Sequence, residues 1–206
     1  MSDADLMALV RAIVAQGDAA TRMLAASPAL AMACFAEGAT HHDANAHFID
    51  AIRHYVYAGD TALHVAAAAY RDAMARELIA AGADVRARNR RGAEPLHYAA
   101  DGKPGSHRWS PDAQAATIAC LIAAGADPNA TDKSGVAPLH RAVRTRCAAA
   151  VKALIAGGAD PRRPNKNGST PLRLAKLTTG RGGSGSPEAK AEQARIVTLL
   201  REHADG

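Results

Sequence analysis

The sequence predicts an all-α solenoid: helix–turn–helix repeats stacked side by side, each joined to the next by a hairpin-like finger. Three observations carry this. A segment opening at Gly59 (GDTALHVAAAAY) returns at Gly92 (GAEPLHYAA), Gly135 (GVAPLHRAV) and Gly168 (GSTPLRLAK), in steps of 33, 43 and 33 residues. Repetition at such a period marks units that bury their apolar faces only against one another. The 206 residues are 48% hydrophobic yet 3% aromatic, an alanine-rich composition that suits closely packed helices better than a thick sandwich of sheets. Each of the first three units also closes on Gly-Ala-Asp, placing Gly82, Gly125 and Gly158 where a helix end needs a left-handed residue.

Before the first full unit, the spacing of Leu6, Leu9, Val10, Ile13 and Val14 predicts a helix running to about Gln16, with Asp3 or Asp5 as its cap. Gly17 breaks it. A second helix over 18–26 carries Met23 and Leu24 and ends at Ser27-Pro28. This antiparallel pair lacks a turn signature and reads as a terminal capping unit. Residues 28–58 fall outside the period. The stretch 28–35 suggests one more helix, 38–46 a polar loop, and 47–57 a short amphipathic helix leading into the strand-like segment His54-Tyr55-Val56-Tyr57. The chain thus divides into an N-terminal capping region, 1–58, and one continuous array, 59–206, with units 59–91, 92–134, 135–167 and 168–206.

Each full unit opens on its glycine turn. Its first helix starts just before a Leu-His pair, with Thr61 as the cap in the first unit and Pro171 in the first turn of the last. The Thr-Pro-Leu-His pattern, two helices, Gly-Ala-Asp and the 33-residue period resemble ankyrin repeats. The residues that carry the match are Thr61-Ala62-Leu63-His64, Glu94-Pro95-Leu96-His97, Ala137-Pro138-Leu139-His140 and Thr170-Pro171-Leu172-Arg173, followed by Gly82-Ala83-Asp84, Gly125-Ala126-Asp127, Gly158-Ala159-Asp160 and His203-Ala204-Asp205. The resemblance implies that the threonine and histidine tie the turn to the helix by hydrogen bonds. Glu94 and Ala137 lack the hydroxyl, at a cost of about 1 kcal/mol per repeat. Arg173 and His203 mark the last unit as the C-terminal cap.

Two units are longer than the others between their helices, by the stretches 101–111 and 178–189. Both insertions are glycine-rich and basic, and both lead into Ser-Pro and an acid (Pro111-Asp112, Pro187-Glu188), a helix-start signal.

No complete phosphate-binding or dinucleotide-binding loop and no catalytic dyad or triad appears, so neither an enzyme nor a cofactor is expected. His64, His97 and His140 occupy the bracing position of the repeat. His41, His42, Asp43 and His47 cluster in the polar loop without a firm zinc spacing. Cys34, Cys120 and Cys147 are odd in number and widely spaced, which predicts free thiols in a reducing compartment. The N-terminus lacks a secretory pattern and no window approaches a membrane span, so a cytoplasmic protein is expected.

The best functional signal is charge on the fingers. The chain carries 25 Lys and Arg against 20 Asp and Glu, a net +5. The finger Val85 to Arg91 holds Arg86, Arg88, Arg90 and Arg91. The finger Pro161 to Asn167 holds Arg162, Arg163 and Lys166. The middle finger adds Lys133, and Arg144 ends a first helix on the same side. Under the resemblance, fingers and first helices line one concave face, and neighbouring fingers stand about 10 Å apart, roughly a Debye length. Trp109, the single tryptophan, is either an exposed anchor or a pin that holds its insertion. These residues predict a non-catalytic module that binds an unidentified, acidic protein partner. Nucleic acid is the alternative, disfavoured by modest net charge and few aromatics. A third reading, an enzyme built on the 28–58 histidines, has no motif behind it.

Overall fold

The computed structural model describes residues 2–40, 43–106, 109–177 and 187–204. Its helices come in pairs: α1 (Asp3–Ala15) with α2 (Ala19–Ala26), α3 (Ala62–Ala68) with α4 (Asp72–Ala80), α5 (Pro95–Ala99) with α6 (Pro111–Ala123), α7 (Pro138–Arg144) with α8 (Ala148–Ala156), and α9 (Pro171–Ala175) with α10 (Pro187–Ala204). The first helices form one layer, in the order α1, α3, α5, α7, α9. The second helices form the other, α2, α4, α6, α8, α10. An all-α solenoid results. Its core is a single strip of small and branched residues, among them Leu6, Leu63, Leu78, Leu96, Leu121, Leu139 and Leu154, all at most 1% exposed. Alanines at 62, 66, 67, 99, 142 and 150 are fully buried between them, and such short side chains let neighbouring helices approach closely.

Most predicted helix boundaries follow from local chemistry. Ser110 caps α6 through a bond from the Ala113 amide, and proline opens α5, α6, α7, α9 and α10. Gly82, Gly125 and Gly158 sit at φ +98°, +98° and +92° after their helices, where a Cβ would be strained.

Three expectations are corrected. Ser2, not an aspartate, caps α1: its hydroxyl accepts from the Asp5 amide while the Asp5 carboxylate takes the Ser2 amide in return. Asp3 instead accepts the Ala36 and Glu37 amides across the chain, at 3.0 and 3.1 Å. The stretch after Ser27 makes only a 3-10 turn, Pro28–Ala31. Within 47–57 the expected short helix is absent: β1 (Phe48–Ile49) pairs antiparallel to β2 (His54–Tyr55) with Phe48 opposite Tyr55, so the strand-like reading of His54-Tyr55 holds and the helix before it does not. The segment's apolar residues fit either period over so short a run, and contacts with the repeats decide between them.

The two long repeats close their insertions in the same way. In the short repeats the backbone N–H of Arg71 and of Cys147 donates to the Ala66 and Ala142 carbonyls near the end of the first helix, both at 2.9 Å. In the long repeats a glutamine side chain supplies that donor. Gln114 Nε2 donates to Ala99 O at 2.9 Å, and Gln193 Nε2 to Ala175 O at 2.7 Å. A side chain thus replaces the backbone hydrogen bond that the inserted residues displace.

Candidate functional site

The joints between repeats come first, because they position everything else. His64 Nδ1 accepts the Thr61 amide at 3.1 Å, and its Nε2 donates to the carbonyl of Ala93 in the next repeat at 3.1 Å. His97 takes the Glu94 amide and donates to Val136 O at 3.0 Å; His140 takes the Ala137 amide and donates to Ser169 O at 3.1 Å. One imidazole thus ties each turn to its helix and each repeat to its neighbour. All three are buried, and burial lowers the pKa of each, that of His97 to about 4. Both nitrogens of each ring are taken up by these bonds. Arg173, in the corresponding place of the last repeat, is exposed.

The fingers repeat a second device. The side-chain oxygens of Asn89, Asp132 and Asn165 each accept two backbone amides of their own turn. This holds the fingers alike, and the backbone of each links to the one before: Arg90 N–H donates to Ala58 O, Lys133 N–H to Arg91 O and Lys166 N–H to Ser134 O.

The finger cations, however, have different surroundings. Arg86 Nε donates to Gly125 O at 2.8 Å. Arg88 forms an ion pair with Glu94, Nη2 to Oε1 at 2.9 Å, and Glu94 is 3% exposed. Burial raises the Glu94 pKa, and Arg88 opposes the shift. Arg90 donates to the Ala39 carbonyl and lies 5.3 Å from the centre of the Tyr57 ring. Arg91 lies 4.8 Å from the same ring and donates to its hydroxyl at 3.0 Å. All four are nonetheless exposed, as are Lys133, Arg144, Arg162, Arg163 and Lys166 further along. Lys166 Nζ reaches the Lys133 carbonyl at 2.6 Å. Trp109 is half-buried, and its indole N–H donates to Gln114 Oε1 at 2.8 Å, pinning the insertion.

The hairpin of 48–55 lies across the ends of the first helices. His54 stacks on Tyr98 of α5 with ring centres 5.0 Å apart. Beneath it the buried Asp60 carboxylate accepts from Asn89 Nδ2, the Tyr98 hydroxyl and the Tyr57 amide at 2.9, 2.8 and 2.7 Å. Burial lowers the His54 pKa, so the ring packs there neutral.

Beside the hairpin is a pocket of about 170 Å³ that brings together Arg91 and Arg144 with two arginines the sequence did not single out, Arg53 and Arg141. Tyr55 and Tyr57 form its aromatic rim. Arg141 is held by Asp101 at 3.0 Å and Asp132 at 3.4 Å, and its Nε is buried without a partner. Arg53 pairs with Asp50 on the far side of the turn. Asp101 is the one carboxylate lining the pocket. The signal for Arg141 was its place in the Leu-His-Arg of the third repeat. Arg53 carried none, since only the hairpin brings it here.

Among the described residues, no group of three or more His, Cys, Asp or Glu is arranged to hold a metal. His41, His42 and residues 178–186 lie outside the described residues, as does Asp205. No helix of the described residues is long and apolar enough to cross a membrane.

Two family models match the chain. One for the ankyrin repeat covers residues 58–90, the repeat that His64 braces. One for ankyrin repeats in many copies covers residues 121–175, from the end of α6 through α9. No curated protein matches the chain. With its paired helices, its histidine braces and these matches, the chain is an ankyrin-repeat protein.

Proposed function

We propose that this protein is a non-catalytic interaction module that binds an acidic segment of a partner protein on the face of its first helices and fingers. The observation that carries the reading is the pocket of about 170 Å³ at which Arg53, Arg91, Arg141 and Arg144 converge with a single carboxylate, Asp101. Guanidinium groups bind carboxylates by paired hydrogen bonds, and a cluster of them speeds the encounter with an anionic chain. Exposed Lys133, Arg162, Arg163 and Lys166 extend positive charge away from the pocket along the fingers, so a segment with several acids suits the face better than one isolated charge. Tyr55 and Tyr57 offer flat surface for the partner's apolar atoms.

The test is fluorescence polarisation with a labelled glutamate-rich peptide and its glutamine counterpart. The glutamate peptide is expected to bind at least about tenfold more tightly, and Arg91→Glu with Arg144→Glu to remove the difference. Equal binding of both peptides, or a charge-reversed variant that still prefers glutamate, would sink the reading.

A further inference from the structure

A larger opening lies on the other side of the hairpin turn. This cleft of about 780 Å³ is lined by the turn Ala51–His54, the end of α3, and Asp101, Gly102, Lys103, Ser106, Trp109 and Ser110 of the insertion. The volume lies in the range of small-molecule sites. Two features shape it. Tyr70 takes a left-handed backbone, φ 55°, just past α3, and directs its hydroxyl to the Asp101 carbonyl. Gly102 packs so closely that a Cβ there would meet Cys147 Sγ at 2.5 Å, Tyr70 Oη at 3.0 Å and Trp109 Nε1 at 3.1 Å. The base of the loop is therefore fixed, and Trp109 with it.

The cleft is amphipathic. Ile52, Ala68, Tyr70 and Trp109 give it carbon surface. Its charged groups are unevenly satisfied. Asp101 pairs with Arg141 and Arg53 with Asp50, whereas Arg71 and Lys103 have no carboxylate partner among the described residues. Arg71 is the telling one. Its Nε is buried without a hydrogen-bond partner. Among the described residues its terminal nitrogens meet only the neutral Gln16 amide, whose oxygen faces them in the orientation that satisfies both groups. Burial lowers its pKa with no carboxylate to offset the loss of water. The Gln16 oxygen takes one N–H of each terminal nitrogen, so an anion in the cleft would pair with the other two and offset the charge that burial leaves uncompensated.

We propose that this cleft binds a small amphipathic anion, with an apolar body laid against Tyr70, Trp109 and Ile52 and one carboxylate or phosphate on Arg71. Lys103, exposed at the mouth, adds attraction at entry. The site is separate from the acidic-peptide reading and does not depend on it.

Trp109 is the only tryptophan of the chain, so its emission reports on the cleft directly. The experiment titrates the full chain with octanoate, octyl phosphate and neutral octanamide, followed by Trp109 emission and, independently, by calorimetry. Octanoate or octyl phosphate should shift the emission and bind about tenfold or more tightly than octanamide; whichever anion binds better assigns the head group. Arg71→Met, which keeps the aliphatic stem, should lower anion binding to the octanamide level, while Arg91→Glu with Arg144→Glu should leave it unchanged. The proposal is overturned if neither anion changes emission or heat, if octanamide binds as well as octanoate, or if folded Arg71→Met keeps full anion affinity. Should Arg71→Met fail to fold, the comparison of octanoate with octanamide on the unaltered chain still decides.

Discussion

The finger of the first full repeat and the finger of the third read alike in sequence, as runs of arginine and lysine without an acid. They differ in structure. In the first, Arg86, Arg88, Arg90 and Arg91 are each engaged by their own chain: a helix-end carbonyl, the Glu94 carboxylate, the Ala39 carbonyl, the Tyr57 ring and hydroxyl. The arginines of both fingers are exposed, but among the described residues the side chains of Arg162 and Arg163 in the third make no ion pair or hydrogen bond, and Lys166 Nζ reaches only a backbone carbonyl. Arg90 and Arg91 hold the neighbouring segment through Ala39 and Tyr57, while Arg86 and Arg88 tie the finger to the next repeat. Arg91 serves both ends, since it also lines the basic pocket. A charge count therefore measures binding potential only after the charges used internally are set aside.

The joints between repeats provide the background against which this contrast is tested, because three of them share a neutral buried histidine and the last repeat does not. The largest expected effect is therefore on pH. His97 titrates near 6.5 when unfolded and about 4 in the fold, so the unfolded chain takes up a proton first as pH falls. The stability that neutral His97 contributes is complete above about 6.5 and is lost between there and 4, about 3 kcal/mol in all. His64 and His140 are shifted the same way. Urea midpoints should stay level from pH 7.5 to about 6.5 and fall from there to pH 5; a flat profile throughout would contradict the neutral brace.

Arg88→Ala comes next. It leaves the Glu94 carboxylate buried and unpaired, and should lower stability by about 2 kcal/mol in denaturant unfolding. Combining it with Glu94→Thr removes the stranded charge and should recover most of that loss. Arg90→Ala forfeits the Ala39 bond and the Tyr57 stack, for about 1 kcal/mol by the same measurement. Arg162→Ala with Arg163→Ala is the smallest, within about 0.5 kcal/mol. A third-finger pair that cost as much as Arg88 would erase the contrast.

Much of the fold was legible because it is local or periodic. Helix starts follow from Ser-Pro and Thr-Pro, helix ends from Gly-Ala-Asp, and the stacking from the repeat period. The hairpin was legible only in part, His54-Tyr55 as strand-like but Phe48-Ile49 as helical. Phe48, Ile49, Ile52, Tyr55 and Val56 suit a helix as well as two short strands, and what decides is His54 against Tyr98, a contact made by the fold. The site was half legible for the same reason. Arg91 and Arg144 could be picked from the repeat pattern, but the groups that hold Arg86, Arg90 and Arg91 lie 39, 51 and 34 residues away along the chain. Trp109 could be an anchor or a pin until Gln114 was seen to take its N–H.

The central claim is that open cations, not the total of cations, recruit the partner. The most direct test is the salt dependence of binding to a glutamate-rich peptide, measured for Arg162→Glu with Arg163→Glu and for Arg86→Ala with Arg90→Ala. The account predicts that the first pair weakens binding by about tenfold or more and flattens its dependence on salt, while the second pair, where folded, changes affinity by less than about threefold. The reverse order, with the first finger controlling affinity and the third finger silent, would contradict it.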